Sequence, residues 1–294
     1  MNHLKKLIKS NRLTYRLAVF VIDGRAIYAL YRLLNRPFIF RLLNESKIKF
    51  FPKGQISFSI FSNRFEKIEL KIFQNIIKPG MVVVDAGANI GLYTLIASEL
   101  TGKKGKVFSF EPSKETFKRL INNIKLNNFL NVKAFNEGLG DNPNEKLILR
   151  QDMGYGDAER YLFSGNEAPD IELENINAIK IGEEIIIDTL DNKLEEMGVK
   201  KVDILKIDTE GFEYYILKGA EKVLKNSPDI VILMECTALG TLRAKTTQKD
   251  VFQILKDNNL NIFYWNTILN DWSDDSGIYT AGDVFVCKNK KQLL

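Results

Sequence analysis

The chain has 294 residues, of which 45% are hydrophobic and 27% charged, and its formal net charge at pH 7 is +5. This is the composition of a soluble globular protein with a sizeable core, and it excludes an intrinsically disordered chain. No apolar run approaches the roughly 20 residues that a transmembrane helix requires.

The positive charge is concentrated at the N-terminus. The first 50 residues contain eleven Lys or Arg and two acids, a local charge of +9 that leaves −4 on the other 244 residues. A basic arm on an acidic body indicates either a solvated face or contact with an anionic partner. The apolar stretch "LAVFVI" in this arm is too short for the core of a signal peptide.

Cysteine and histidine usage narrows the possible chemistry. Cys236 and Cys287 lack metal-ligand spacing, which favours two buried thiols in a reducing, cytoplasmic setting. The single histidine, His3, lies in a terminal segment. A histidine base is therefore not expected, and carboxylates remain as candidates for proton transfer.

Residues 1–62 are predicted to form a basic helical extension. Apolar residues recur at helical spacing over residues 4–44, and the segment "KIKFFPKGQISFSI" predicts a hairpin that turns at residues 52–54. The following segment, "RFEKIELKIFQNIIKPG", predicts a helix that ends at its Pro-Gly pair.

From Met81 onward, predicted strands and helices alternate. The strands are "MVVVDAG", "GKVFSFEP", "NVKAFNEGLG", "KVDILKID", "DIVILMEC", "NIFYWN" and "GDVFVCK". Helices are predicted between them, including one capped by Ser113 and two at residues 212–225 and 248–258. Residues 63–294 are therefore predicted to be an α/β domain with a mostly parallel sheet and helices on both faces.

Residues 142–188 are too long for an ordinary connection and are predicted to be an inserted segment. Within it, "LILR" and "EIIID" are expected to pair as short strands.

The segment "VVVDAGANIGLYTLIA" predicts a ligand-binding loop between a strand and a helix. The strand ends near Asp85, and Gly87, Asn89 and Gly91 follow in a tight turn. Glycine permits positive φ and close approach of a ligand, and the helix start presents free N–H groups. The dinucleotide fingerprint G-x-G-x-x-G is not matched here. Glu111, at the end of the next strand, is placed to bind both ribose hydroxyls of a nucleoside.

Three acids follow a buried strand in "ILKIDTEGFEYYILKGA". Asp208 ends the strand at the sheet edge where open α/β folds bind ligands. Glu210 and Glu213 would share one helix face if the helix began by Glu210. These acids are candidate catalytic groups, or they complement a helix dipole, an alternative that is strongest for Glu213.

A divalent cation is a further hypothesis for this edge of the sheet. Asp208 and Glu210, together with the strand-end acid Glu235, are candidate ligands because hard cations favour carboxylate oxygens. Nothing in the sequence requires a metal, and Glu235 is equally open to interpretation as a substrate contact or an ordinary strand-end acid.

Taken together, these segments resemble the FkbM-type S-adenosylmethionine-dependent methyltransferases. The resemblance covers roughly residues 66–235, and it rests on "KPGMVVVDAGANIGLYTL", "VFSFEPSKETFKRLINNIKLNN", "EGLGD", "IDTLD", "ILKIDTEGFEYYILKGA" and "VILMEC" in the family's order. It implies a Rossmann-like seven-stranded methyltransferase fold, S-adenosylmethionine as the methyl donor and O-methylation of a hydroxyl, often on a sugar or natural product.

The resemblance also implies a cofactor site at the ends of the first four strands, made of Asp85, Gly87, Asn89, Gly91, Glu111, Gly138, Leu139 and Asp208. The glycine loop would hold the methionine end of the cofactor, and Glu111 its ribose. Gly138 and Leu139, at the end of the third strand, would face the adenine. Asp208 would lie beside the sulfonium.

The leading interpretation is an O-methyltransferase that acts on a hydroxyl of a saccharide or glycoconjugate, with Asp208, Glu210 and Glu213 as catalytic candidates. The first 60 residues and residues 150–183, which the resemblance does not cover, are expected to select the acceptor. A methyltransferase that acts on nucleic acid or on another small molecule is one alternative, although a nucleic-acid acceptor is disfavoured because the arm lacks interleaved aromatic residues. Another alternative is an enzyme that acts on a glycolipid while the basic helices contact an anionic membrane.

Overall fold

The computed structural model describes residues 33, 37–42, 44–50, 60, 65–152, 160–162, 179–266, 271–274 and 282–294. Most of the predicted basic helical arm lies outside these ranges and stays a prediction. Among the described residues, no helix combines the length and hydropathy that a membrane span requires.

The elements are numbered in chain order. The strands are β1 Phe38–Arg41, β2 Lys47–Phe50, β3 Val82–Ala86, β4 Lys106–Phe110, β5 Val132–Phe135, β6 Gly138–Leu139, β7 Lys146–Asp152, β8 Arg160–Leu162, β9 Ile179–Asp188, β10 Ile204–Ile207, β11 Val231–Glu235, β12 Asn261–Asn266, β13 Asp271–Asp274 and β14 Asp283–Cys287. The helices are α1 Lys67–Ile76, α2 Leu92–Thr101, α3 Lys114–Leu126, α4 Leu190–Glu196, α5 Glu213–Lys218, α6 Glu221–Asn226, α7 Ala238–Arg243 and α8 Gln248–Asp257, and a 3₁₀ turn spans Lys290–Leu293.

The central sheet has the strand order β5-β4-β3-β10-β11-β14-β12-β13. Strands β3, β4, β5, β10 and β11 are mutually parallel, and β14 runs antiparallel between β11 and β12. The predicted Rossmann-like, mostly parallel sheet of seven strands is confirmed. An eighth strand, β13, extends the edge as an antiparallel neighbour of β12.

Hydrophobic residues pack on both faces of this sheet. Side chains alternate between the faces along each strand, so that Val84 and Leu205 join one core and Val83 and Ile204 join the other. All four are at most 1% exposed, as expected for a sheet covered on both sides. The second core also receives side chains from α1 and α2, which therefore cover the face that carries Asp85.

One helix begins as predicted, and another is divided into two. Ser113 caps α3 as predicted, because its hydroxyl accepts a hydrogen bond from the backbone N–H of Thr116 at 3.4 Å. The single helix predicted over residues 212–225 is instead two short helices, α5 and α6. They separate at Gly219, where a Cβ would lie 1.9 Å from the carbonyl oxygen of Gly140, so the chain bends where it packs closely against another segment.

The helix predicted over residues 4–44 is wrong near its C-terminal end. Residues 38–41, predicted to be helical, form β1, which pairs antiparallel with β2 at residues 47–50. The predicted turn at residues 52–54 lies outside the described residues, and Ile60 is helical instead of extended.

Contacts with a distant helix hold this hairpin in place. The backbone N–H of Lys47 donates to the Asn127 side chain of α3 at 2.6 Å, and that of Lys49 donates to Asn123 at 2.8 Å. These tertiary hydrogen bonds fix β2 against α3, and β1 pairs with β2 although its sequence has helical periodicity. Phe38 and Ile48 also enter the second core, so the hairpin packs against the predicted catalytic domain.

The inserted segment supplies β7, β8 and β9 of a second sheet, whose strand order is β6-β9-β7-β8. Its β7 and β9 pair antiparallel, which confirms the predicted pairing of "LILR" with "EIIID". Gly138 and Leu139, expected at the end of the third strand of the central sheet, form β6 and pair with β9 instead. The close approach explains this, since a Cβ on Gly138 would lie 2.5 Å from Ile187 Cδ1.

Candidate active site

The ends of β3 and β10 meet closely at the carboxyl edge of the central sheet. Gly87 has a φ of +79°, and a Cβ there would lie 1.9 Å from the carbonyl oxygen of Asp208. The backbone N–H of Asp208 in turn donates to the carbonyl of Ala86 at 3.1 Å. The glycine loop (residues 87–91) and the Asp208 turn (residues 208–212) therefore form one surface, as the strand-end argument predicts.

The glycine loop is held against the end of β4. The N–H groups of Gly87 and Ala88 donate to the carbonyl of Phe110 at 3.0 and 2.9 Å. Asn89 adopts a positive φ of 49°, and its N–H donates to Glu111 Oε2 at 3.0 Å. Helix α2 starts after Gly91 without a side-chain cap. Its first turn, and not the loop itself, is therefore where backbone donors are available to a ligand.

Glu111 connects the glycine loop, which follows β3, with the end of β4. It is 7% exposed, and besides the bond from Asn89 its Oε1 accepts the N–H of Ser113 at 2.9 Å. Each carboxylate oxygen has lone pairs for further donors. The predicted bonds to ribose hydroxyls are compatible with this arrangement and stay a prediction.

Asp85 is fully buried beneath the glycine loop. Its Oδ2 accepts the hydroxyl of Thr94 at 2.6 Å, whereas its Oδ1 has no hydrogen-bond partner among the described residues. Burial raises the pKa of Asp85, and the positive charge of Lys206 opposes that effect. Asp85 and Lys206 are paired in the β3–β10 register and lie on the same face.

Lys206 is the site residue that sequence reasoning missed most clearly. Its side chain is 6% exposed, and its Nζ lies 2.9 Å from Asp208 Oδ2. The same Nζ lies 4.6 Å from the centroid of the Tyr93 ring. Burial opposes its charge, but Asp208, Asp85 and Glu66 raise the pKa of Lys206 above its ordinary value. It therefore stays protonated.

Glu66 also belongs to this edge, although it precedes α1 in the chain. Its Oε2 accepts the hydroxyl of Tyr93 at 2.5 Å, and its backbone takes a left-handed conformation with φ 38°. Burial and the nearby Asp208 raise the pKa of Glu66 to about 7. Neither Glu66 nor Tyr93 carries a sequence signal beyond its place in a predicted helix.

The acids proposed as metal ligands do come together. Carboxylate oxygens of Asp208, Glu210 and Glu235 lie within 4.8 Å of one another. Burial and Asp208 raise the pKa of Glu235 to about 9. Asp283 lies opposite Glu235 in the β11–β14 pair, and burial together with Glu66 raises its pKa to about 8. This group is rich enough in oxygen to hold a divalent cation.

Glu213 occupies a different position from the other acids. It is 1% exposed, and its Oε1 accepts both the N–H and the hydroxyl of Thr209, at 3.2 and 3.0 Å, and the N–H of Gly211 at 3.1 Å. Helix α5 begins only at Glu213, and Glu210 has a φ of 57°. The expectation that the two acids share a helix face is therefore wrong. Glu213 stabilises the Asp208 turn through these hydrogen bonds, and a catalytic role for it stays a prediction.

The two residues expected to face adenine are both buried. Leu139 packs in the first core, and Gly138 lies beside Pro112, the residue after Glu111. They thus remain close to the end of β4, although they belong to the smaller sheet. Their contact with a cofactor is still a prediction.

Comparison with known proteins gives a consistent picture. A family model described as the methyltransferase FkbM domain matches residues 85–261, more than half of the chain. "Methyltransferase 1" of Beauveria bassiana is 25% identical over 207 residues, which span 65% of this chain and 83% of that protein.

Two further relatives carry more specific names. Hexuronic acid methyltransferase AglP of Haloferax volcanii is 26% identical over 182 residues, 61% of this chain and 63% of that protein. The 2-O-methyltransferase NoeI of Sinorhizobium fredii is 25% identical over 161 residues, 54% of this chain and 65% of that protein. The chain thus spans less than two thirds of the length of these two relatives.

Proposed function

Because the chain belongs to the FkbM methyltransferase family, we propose that it transfers a methyl group from S-adenosylmethionine to a hydroxyl oxygen of a saccharide or glycoconjugate. The observation that carries this proposal is the convergence of the glycine loop, Glu111 and Asp208 at one sheet edge. The names of two relatives, a hexuronic acid methyltransferase and a 2-O-methyltransferase, support a sugar hydroxyl as the acceptor.

The cofactor would lie across the ends of β3, β4 and β10. The uncapped first turn of α2 offers backbone N–H groups and the positive end of a helix dipole, which suit the carboxylate of an amino acid. Glu111 would accept the ribose hydroxyls from the adjacent strand end. When bound, S-adenosylmethionine supplies an electrophilic methyl group on a sulfonium.

Asp208 is the residue best placed to orient the acceptor. Its side chain is 30% exposed, and its Oδ2 is already engaged by Lys206. A hydrogen bond from the acceptor hydroxyl to Asp208 would hold the oxygen about 3 Å from the methyl group, and such positioning supplies several kcal/mol of a displacement barrier. Glu210, in the same turn, is the second candidate to accept the hydroxyl proton.

A divalent cation held by Asp208, Glu210 and Glu235 is a second possibility, which their mutual distances favour. A bound cation would bring the acceptor hydroxyl into contact with these carboxylates and lower its pKa. Thermal unfolding of chelator-treated protein tests this directly. Added Mg²⁺ should raise the Tm of the native protein but not that of Glu235→Gln, and an equal response of both proteins would remove the metal hypothesis.

Isothermal titration of the full chain with S-adenosylmethionine tests the proposal as a whole. Saturable binding is expected, and Gly87→Arg should abolish it because the new side chain would have to occupy the space against Asp208. Absence of binding by the native protein would refute the proposed function.

A further inference from the structure

Lys206 is a buried cation whose presence the proposed reaction does not by itself explain. A lysine that is almost fully excluded from water is costly unless its charge is paired. Here Lys206 lies between Asp85 and Leu233 in the sheet register, at the middle of the central sheet. Its ammonium contacts Asp208 on one side and the ring of Tyr93 on the other.

The ring that contacts Lys206 is itself held on two sides. Tyr93 is 4% exposed and packs edge-to-face on Phe73, with ring centroids 4.9 Å apart. Its hydroxyl donates to Glu66 Oε2 at 2.5 Å. Tyr93 therefore provides a fixed wall, and the ammonium of Lys206 is confined between that wall and Asp208.

This confinement determines how Asp208 presents its carboxylate. The Asp208 backbone is anchored through its N–H to Ala86, and Oδ2 is anchored by Lys206. In the part of the chain that the structure describes, no donor reaches the other oxygen, Oδ1. The ion pair thus removes the rotational freedom of the carboxylate and leaves one oxygen for a ligand.

We propose that Lys206 is a positioning residue, which holds the Asp208 carboxylate in a single orientation toward the sulfonium and the acceptor hydroxyl. The inference rests on the proposed function, because it takes Asp208 as the group that contacts the ligand. Lys206 does not act as a base, because the negative charges of Asp208, Asp85 and Glu66 keep its ammonium group protonated. Its effect on the ligand passes through Asp208.

A double-mutant cycle on cofactor affinity tests this inference. Dissociation constants for S-adenosylmethionine and S-adenosylhomocysteine are measured by titration calorimetry for the native protein, Lys206→Met, Asp208→Asn and the double variant. Methionine keeps an unbranched apolar stem of similar size and removes the ammonium group, with its charge and its N–H donors. Each single change should weaken S-adenosylmethionine binding by about tenfold, and the double variant should bind about as weakly as Asp208→Asn alone.

The ratio of the two dissociation constants separates positioning from simple structural support. Both single variants should lose preference for the charged S-adenosylmethionine, because a misplaced or absent carboxylate no longer faces the sulfonium. Additive effects in the cycle, or an equal loss of affinity for both ligands in Lys206→Met, would overturn the inference. If the native protein binds neither ligand, the proposed function fails and the inference fails with it.

A second variant covers the case in which Lys206→Met does not fold. Tyr93→Leu removes the ring that confines Lys206 but leaves the ion pair possible. It should shift the same affinity ratio in the same direction by a smaller factor, and it should have no further effect in the Asp208→Asn protein. An undiminished effect of Tyr93→Leu in the Asp208→Asn protein would contradict the proposed route through Asp208.

Discussion

Replacement of Gly87 by alanine tests the geometry of the cofactor site more sharply than any change of a charged residue. A Cβ at this position would lie 1.9 Å from the carbonyl oxygen of Asp208 and 2.9 Å from its carbonyl carbon, whereas ordinary contacts begin near 3.4 Å. The glycine loop and the Asp208 turn must therefore separate by more than 1 Å, roughly the displacement that can cost a hundredfold in rate when catalytic groups are misplaced.

Two terms contribute to the loss of stability in Gly87→Ala. An L-residue at positive φ costs roughly 1–2 kcal/mol, and the forced separation from Asp208 adds to it. Gly80→Ala is a matched control, because Gly80 has a φ of +88° but no heavy atom within 4 Å of the added Cβ. The loss of stability in Gly80→Ala therefore reports only the cost of an L-residue at positive φ.

Urea unfolding and titration with S-adenosylmethionine measure the two consequences. Gly80→Ala should lose roughly 1–2 kcal/mol of stability and keep native cofactor affinity. Gly87→Ala should lose more stability, and its affinity for S-adenosylmethionine should fall at least about tenfold, in line with the displaced geometry. Native affinity in Gly87→Ala, or the same loss of affinity in both variants, would refute the proposed contact between the glycine loop and the cofactor.

Two further substitutions probe buried carboxylates, and a truncation probes the basic arm, whose charge is known from the sequence. The Glu66 carboxyl group loses its proton near pH 4.5 in the unfolded chain and near pH 7 in the folded protein, so native stability falls across that interval. Glu66→Gln removes this titration, so the difference in unfolding free energy between Glu66→Gln and the native protein should be more favourable above pH 7 than at pH 4, by up to about 3 kcal/mol in urea unfolding. The exposed-residue control Glu99→Gln should show no such gain. Glu213→Ala should destabilise the fold by roughly 2–4 kcal/mol, because it leaves the donors of the half-buried Thr209 and the buried Gly211 without their acceptor. A loss below about 0.5 kcal/mol in urea would contradict this supporting role. Removal of residues 1–32 should abolish co-sedimentation with anionic liposomes while preserving S-adenosylmethionine binding; unchanged sedimentation would exclude membrane contact through the basic arm.

Sequence reasoning locates the elements whose positions follow from strand order. Parallel strands end at the same edge, so strand order alone places Asp85, Glu111 and Asp208 near one another. The glycine loop is recognisable because positive φ and close approach leave few alternatives to glycine. These predictions depend on local patterns and on one topological rule.

The remaining features depend on contacts between distant segments. Lys206 sits within an apolar run, and only the positions of Tyr93 and Asp85 reveal that its charge is buried and paired. Glu66 reaches the edge through a left-handed backbone that no periodicity predicts. The β1–β2 hairpin forms because α3 supplies side-chain partners to its backbone, and such partners cannot be read from local spacing.

Methyl transfer to a sugar hydroxyl is measured most directly by following a labelled methyl group. The full chain would be incubated with methyl-¹³C S-adenosylmethionine and a panel of hexuronic acids, neutral saccharides and glycolipids, with and without Mg²⁺. A new ¹³C resonance of a methyl ether is expected on one acceptor, and it should be lost in Asp208→Asn. A labelled methyl group on nitrogen, or on a nucleic acid added to the same panel, would contradict it.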